Sequence, residues 1–136
     1  MKTKLQQRLL SGALMALIAV NASLASAERL SSVDVRQGAA LQGRGALLLD
    51  VREASEYAHD HAPGSTLIPL GQLEQRLQEL ARYKDKPVVL ICRSGRRSAQ
   101  ALKLLEKAGF SAAANIEGGM IAWKDAGLPV IAGASR

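Results

Sequence analysis

The chain has 136 residues, 48% of them hydrophobic, with 18 Lys and Arg against 12 Asp and Glu and a single cysteine. This length holds one domain, and one cysteine excludes both an internal disulfide framework and a zinc site built on several thiolates. The formal charge of +6 suggests nucleic acid until its distribution along the chain is considered.

Lys2, Lys4 and Arg8 precede an apolar run, Leu9–Val20, and Ala25-Ser26-Ala27 follows with small residues in the A-x-A arrangement. This is the pattern of a secretory signal peptide, residues 1–27, cleaved after Ala27. The run has 12 positions, whereas a bilayer span needs about 20, so no stable membrane insertion is expected after cleavage. Glu28–Arg136 keeps 15 basic residues against 12 acidic ones, a net charge of +3. With both signs interspersed, that is an ordinary protein surface and no argument for nucleic acid.

In chain order, Val33–Leu41 has modest helical periodicity. Ala46–Val51 is short, apolar and bounded by Gly45 and a charged cluster, which predicts a buried strand. Thr66–Ile68 is a shorter strand candidate. Leu73–Ala81 sets Leu73, Leu77 and Leu80 on one helical face. Pro87–Cys92 is an uninterrupted β-branched run, suited to a parallel strand covered on both faces. Ser98–Ala108 places Ala101, Leu102, Leu105 and Ala108 on one side of a helix that stops at Gly109. Ser111–Ile116 is an Ala-rich strand candidate, and Met120–Ala126 a short last helix ended by Gly127 and Pro129. Alternating strands and helices predict a single α/β domain, with a mostly parallel sheet and helices on both faces.

Cys92 closes the strand Pro87–Cys92, and in open parallel sheets ligands bind beyond the carboxyl ends of the strands. Arg93-Ser94-Gly95-Arg96-Arg97 follows, then the helix near Ser98. A tight strand-to-helix turn points successive N–H groups toward a common centre, and Gly95 permits the dihedrals it needs. The helix N-terminus and three arginines favour a thiolate and an anion beside it. A lone cysteine at a strand end is in most proteins a buried structural residue. Three arginines and Gly95 at a strand–helix junction argue instead for a nucleophile.

Cys92-Arg93-Ser94-Gly95-Arg96-Arg97-Ser98 resembles the active-site loop of the rhodanese family, C-x-x-G-x-R-[ST]. Leu49-Asp50-Val51-Arg52 with Glu53, Glu56 and Tyr57 resembles the family's D-V-R-x-x-x-E-[YF] motif. His61-Ala62-Pro63-Gly64-Ser65, leading to Ile68-Pro69-Leu70, resembles its H-I-P-G-A…I-P-L segment. Glu117-Gly118-Gly119-Met120 with Trp123 and Gly127-Leu128-Pro129-Val130 resembles its C-terminal motif. Four motifs in family order imply a rhodanese domain over residues 33–132. An exported single-domain member is similar to the small periplasmic rhodaneses of the phage shock protein E type, and a periplasmic location is expected. One departure is Asp60, which stands where many members have Gly before the His.

The resemblance implies a sulfurtransferase without a cofactor. Cys92 would take the outer sulfur of thiosulfate as a persulfide and pass it to cyanide or a thiol. Substrate contact is expected from Arg93, Ser94, Gly95, Arg96, Arg97 and Ser98, with Arg93 the first candidate for the sulfonate end. Arg97 has an alternative role, bridging to an acidic residue such as Asp50 or Glu53. Asp50 and Arg52 are expected to support the loop as an ion-pair network. A carrier module with little turnover is one alternative. A phosphatase or arsenate reductase is less suited, because that chemistry uses Cys-x5-Arg and the x5 position here is Ser98. His59 and His61 lack a third metal ligand, so no metal is expected. Trp123 is read as core, and without a coiled-coil signature the expected state is a monomer.

Overall fold

A computed structural model describes residues 31–133; the expected signal peptide lies outside the described residues. The elements in chain order are β1 (Ser32–Val33), α1 (Val35–Gly43), β2 (Leu47–Asp50), α2 (Ala54–His59), β3 (Asp60–His61), β4 (Thr66–Leu67) and α3 (Leu70–Leu73). A 3₁₀ helix (Glu74–Tyr83) follows, then β5 (Val88–Ile91), α4 (Arg96–Lys107), β6 (Ala113–Ile116), α5 (Gly119–Asp125) and β7 (Ile131–Ala132). β1-β6-β5-β2-β4 form one sheet in which every pair is parallel, and β3 and β7 form a separate antiparallel pair. No helix among the described residues is long and apolar enough to cross a membrane.

Every residue of β2 and β5 is buried, because each face of the sheet carries a core. Leu47, Leu49, Val51, Val88, Leu90 and Cys92 share one apolar cluster with Leu73, Leu80, Ala101 and Leu105. Leu48, Val89 and Ile91 belong to the other, with Val33, Ile116, Met120 and Trp123. Strand side chains alternate between faces, so Cys92 continues the Val88–Leu90 row toward the face that α4 covers. Trp123 is 2% exposed, and its indole N–H donates to the Pro129 carbonyl at 2.9 Å.

Two predicted elements take a different form. The helix expected from Val33 begins only after Asp34, since Val33 pairs with Ile116 in β1. Asp34 caps α1: the Gln37 N–H donates to Asp34 Oδ1 at 2.8 Å, and the Asp34 N–H donates to Gln37 Oε1 at 2.9 Å, a reciprocal capping box. The run expected as a helix over Leu73–Ala81 leaves α3 at Leu73 and winds as 3₁₀ to Tyr83. Leu73 and Leu80 still face the core with Leu77 packed against it; the three-residue step from Leu77 to Leu80 suits either winding.

Asp50 and Ile91 are in register, so the residues that follow β2 and β5 leave the sheet side by side at its carboxyl edge. Helix α2, whose residues are all at least partly exposed, and the two-stranded pair β3–β7 stand beside that edge.

Candidate active site

Residues 92–98 form the turn from β5 into α4. Gly95 sits at φ +96°, a left-handed conformation that a side chain would strain. It lets the chain turn back so that its own N–H donates to Cys92 Sγ at 3.1 Å. The hydroxyl of Ser98, fully buried in the first turn of α4, donates to the same sulfur at 3.3 Å. Burial pushes the Cys92 thiol up. The Ser98 hydroxyl and the N–H groups of Ser98, Gly95 and Ser94 outweigh that effect, and the thiol lies below its ordinary value. Cys92 is 1% exposed, so the sulfur is buried within this cradle.

The cradle is held from behind. The Met120 N–H donates to the Cys92 carbonyl at 2.8 Å and the Ile121 N–H to the Arg93 carbonyl at 3.1 Å. Gly119 makes this approach possible, since a Cβ there would collide with both carbonyl oxygens. From β6, Asn115 Nδ2 donates to the Gly95 carbonyl at 3.1 Å, which also accepts from Ala99 N–H at 3.2 Å. Asn115 Oδ1 is buried without a hydrogen-bond partner among the described residues.

The three arginines have different surroundings. Arg93 and Arg96 are exposed, and neither side chain is hydrogen-bonded or ion-paired among the described residues. Arg97 forms a two-pronged contact with Glu56 on α2, at 2.6 and 2.9 Å, which lowers the Glu56 carboxyl to about 2. The sequence offered Asp50 or Glu53 as the partner of Arg97, and this is corrected. Asp50 is already taken: it accepts from Arg52 Nε at 3.0 Å and from a terminal guanidinium nitrogen at 2.8 Å. Glu53 is exposed, ahead of the turn of α2 that faces Arg97. Arg52 also donates to the Asp60 carbonyl at 2.7 Å, so Asp50 and Arg52 fix the β3 strand beside the loop.

A pocket of about 370 Å³ adjoins the loop, between α2 with β3 on one side and α5 on the other; Arg93 lines it. His59 contributes to one wall. His61 instead stacks on Tyr57, ring centroids 3.9 Å apart, with Nδ1 2.8 Å from the Tyr57 carbonyl. Among the described residues no three His, Cys, Asp or Glu side chains are grouped for a metal ion.

The structure therefore brings Cys92, Ser94, Gly95 and Ser98 around one sulfur, leaves Arg93 and Arg96 at the surface, and engages Arg97, Asp50 and Arg52 in ion pairs. The parts played by Glu56 and Asn115 were not expected from the sequence. Glu56 stood in a recognisable motif, but it lies 41 residues from Arg97, so nothing local pointed to the pairing. Asn115 did offer one, as a polar residue inside an apolar strand.

Similarity to known proteins agrees with this geometry. Residues 33–126 match the rhodanese-like domain family. A sulfurtransferase from Allochromatium vinosum is 40% identical over 86 residues, which are 63% of this chain and 78% of that protein. A protein from Synechocystis is 39% identical over 85 residues, 62% of this chain but only 46% of its own longer length. The thiosulfate sulfurtransferase of Pseudomonas aeruginosa superposes with a TM-score of 0.69 at 29% identity, over 79% of this chain and 21% of that one. Relatives of this kind support a role in sulfur transfer, and the chain belongs to the rhodanese-like family.

Proposed function

We propose that the protein is an exported thiosulfate sulfurtransferase acting through a persulfide on Cys92. The observation that carries this reading is the convergence of the Gly95 N–H and the Ser98 hydroxyl on Cys92 Sγ. Donors aimed at the sulfur stabilise a thiolate before the reaction and an anionic sulfur after it. The Cys92 thiolate attacks the outer sulfur of thiosulfate, the sulfur–sulfur bond of the donor breaks, and sulfite departs with the electron pair. Cys92 then carries one extra sulfur. A thiolate or cyanide attacks that outer sulfur and leaves as a persulfide or thiocyanate, which restores the Cys92 thiolate. Arg93, in the loop and unpaired among the described residues, binds the sulfonate; Arg96 is the second cation available to it. The loop N–H groups of Ser94, Gly95 and Ser98 hold the anion, and Arg97 keeps the loop in place through Glu56. The relative from Pseudomonas aeruginosa, a thiosulfate sulfurtransferase by name, supports thiosulfate as the donor. The pattern of residues 1–27 supports export to the periplasm.

The test is sulfite release from thiosulfate with cyanide or a thiol as acceptor. The wild-type protein turns over and Cys92→Ser does not. Full activity in Cys92→Ser would overturn the assignment, and sulfur loading without turnover would make the protein a carrier.

A further inference from the structure

The pocket beside the loop is far larger than thiosulfate needs, and among the described residues one ion pair joins its two walls. Lys124 Nζ on α5 lies 3.0 Å from Asp60 Oδ2 on β3. Asp60 has a second cation, Arg52, at 3.5 Å through its other oxygen, and its side chain is 15% exposed whereas that of Lys124 is 49% exposed. Arg52 thus keeps Asp60 compensated if Lys124 swings away. A pair with one half-exposed partner in contact with solvent is weakly held, so Lys124 is easily recruited by another anion. Arg93 lines the same pocket and pairs with no carboxylate among the described residues. The two acidic residues that line it, Glu56 and Asp60, are both engaged by arginines. Two available cations therefore face a cavity whose carboxylates are already neutralised.

We propose that this pocket is the acceptor subsite and that Lys124, released from Asp60, selects a small thiol bearing a carboxylate. The inference rests on the sulfur-transfer reading above. In a two-step reaction sulfite has left before the acceptor enters, so Arg93 is free to serve both anions in turn. The apolar side chain of Ile121, 44% exposed on the same wall, covers the carbon skeleton of the acceptor.

The test has two parts. In the first, 3-(methylthio)propionate, which carries the carboxylate but no reactive thiol, is titrated into the protein and followed by amide chemical shifts. Saturable shifts at His59, Ile121 and Lys124, weakened about five- to tenfold in Lys124→Ala and kept in Lys124→Arg, support the proposal; this is the weight of one charge-assisted contact in a half-exposed site. Absence of saturable shifts, or equal binding in Lys124→Ala, overturns it. In the second, kcat/KM for 3-mercaptopropionate is divided by that for 3-mercaptopropionamide. The ratio falls in Lys124→Ala and rises in Asp60→Asn; an unchanged ratio in both variants contradicts the proposal. If thiosulfate loads no sulfur onto Cys92, the sulfur-transfer reading fails while the titration still decides what the pocket binds.

Discussion

Glu56 and Arg97, separated by 41 residues, meet through two hydrogen bonds of 2.6 and 2.9 Å and so tie α2 to the first turn of the helix that follows Cys92. Glu56 also accepts from the Glu53 N–H at 3.2 Å, which fixes the start of α2 with the same carboxylate. Its carboxyl is held at about 2, below the ordinary carboxylate value of about 4.3. A lowered folded-state value means that the pair contributes its full stability above the ordinary value and loses it as pH falls toward 2. Glu56→Gln should lower stability at pH 7 by about 1 kcal/mol, modest because both side chains are about one-third exposed. Urea unfolding of the two proteins should converge as pH drops from 5 to 2. A constant difference over that range would show that the ionised pair is not what the variant lost.

Ser98 bears on reactivity more directly. Its hydroxyl is the leading influence that lowers the Cys92 thiol against the effect of burial. Ser98→Ala should move the pH midpoint of Cys92 alkylation by iodoacetamide upward and slow the reaction at pH 7. An unmoved midpoint would mean that the backbone N–H groups alone hold the thiolate.

Arg93 is the exposed cation of the loop that also faces the pocket. Arg93→Ala should raise the KM for thiosulfate about tenfold, as expected for loss of one charge-assisted contact, with a smaller effect on kcat and none on the unfolding midpoint. An unchanged KM would remove Arg93 from the donor site.

Asn115 separates loop geometry from stability. Its Nδ2 holds the Gly95 carbonyl while its Oδ1 is buried and without a partner among the described residues. Asn115→Leu removes a hydrogen bond and an unsatisfied acceptor together, two effects of opposite sign and each about 1 kcal/mol or more. Stability should therefore change little, while the alkylation midpoint of Cys92 rises because the Gly95 turn loosens. A large loss of stability with normal alkylation would give Asn115 a purely structural role.

The central layers of the fold were legible in the sequence because their residues announce themselves locally. The runs ALLLDV and PVVLIC are unbroken apolar stretches, and β2 and β5 lie within them. Gly109 stopped the helix that follows the loop, and Gly95 marked the turn. The strands β1, β3 and β7 were not legible: each is two residues long, too short for any period to show, and β4, equally short, was expected only as part of the run Thr66–Ile68. Helix α2 was missed because none of its residues is buried, so it has no apolar stripe. At the site, the loop 92–98 was readable as a contiguous motif. The partner of Arg97 was not, since the choice among Asp50, Glu53 and Glu56 depends on which carboxylate is already occupied and which faces α4.

Intact mass after mixing with thiosulfate tests the account most directly. The wild-type protein should gain about 32 Da, one sulfur, which a reductant or an acceptor thiol removes, and Cys92→Ser should gain nothing. A wild-type mass that stays unchanged, or an equal gain in Cys92→Ser, would contradict the account.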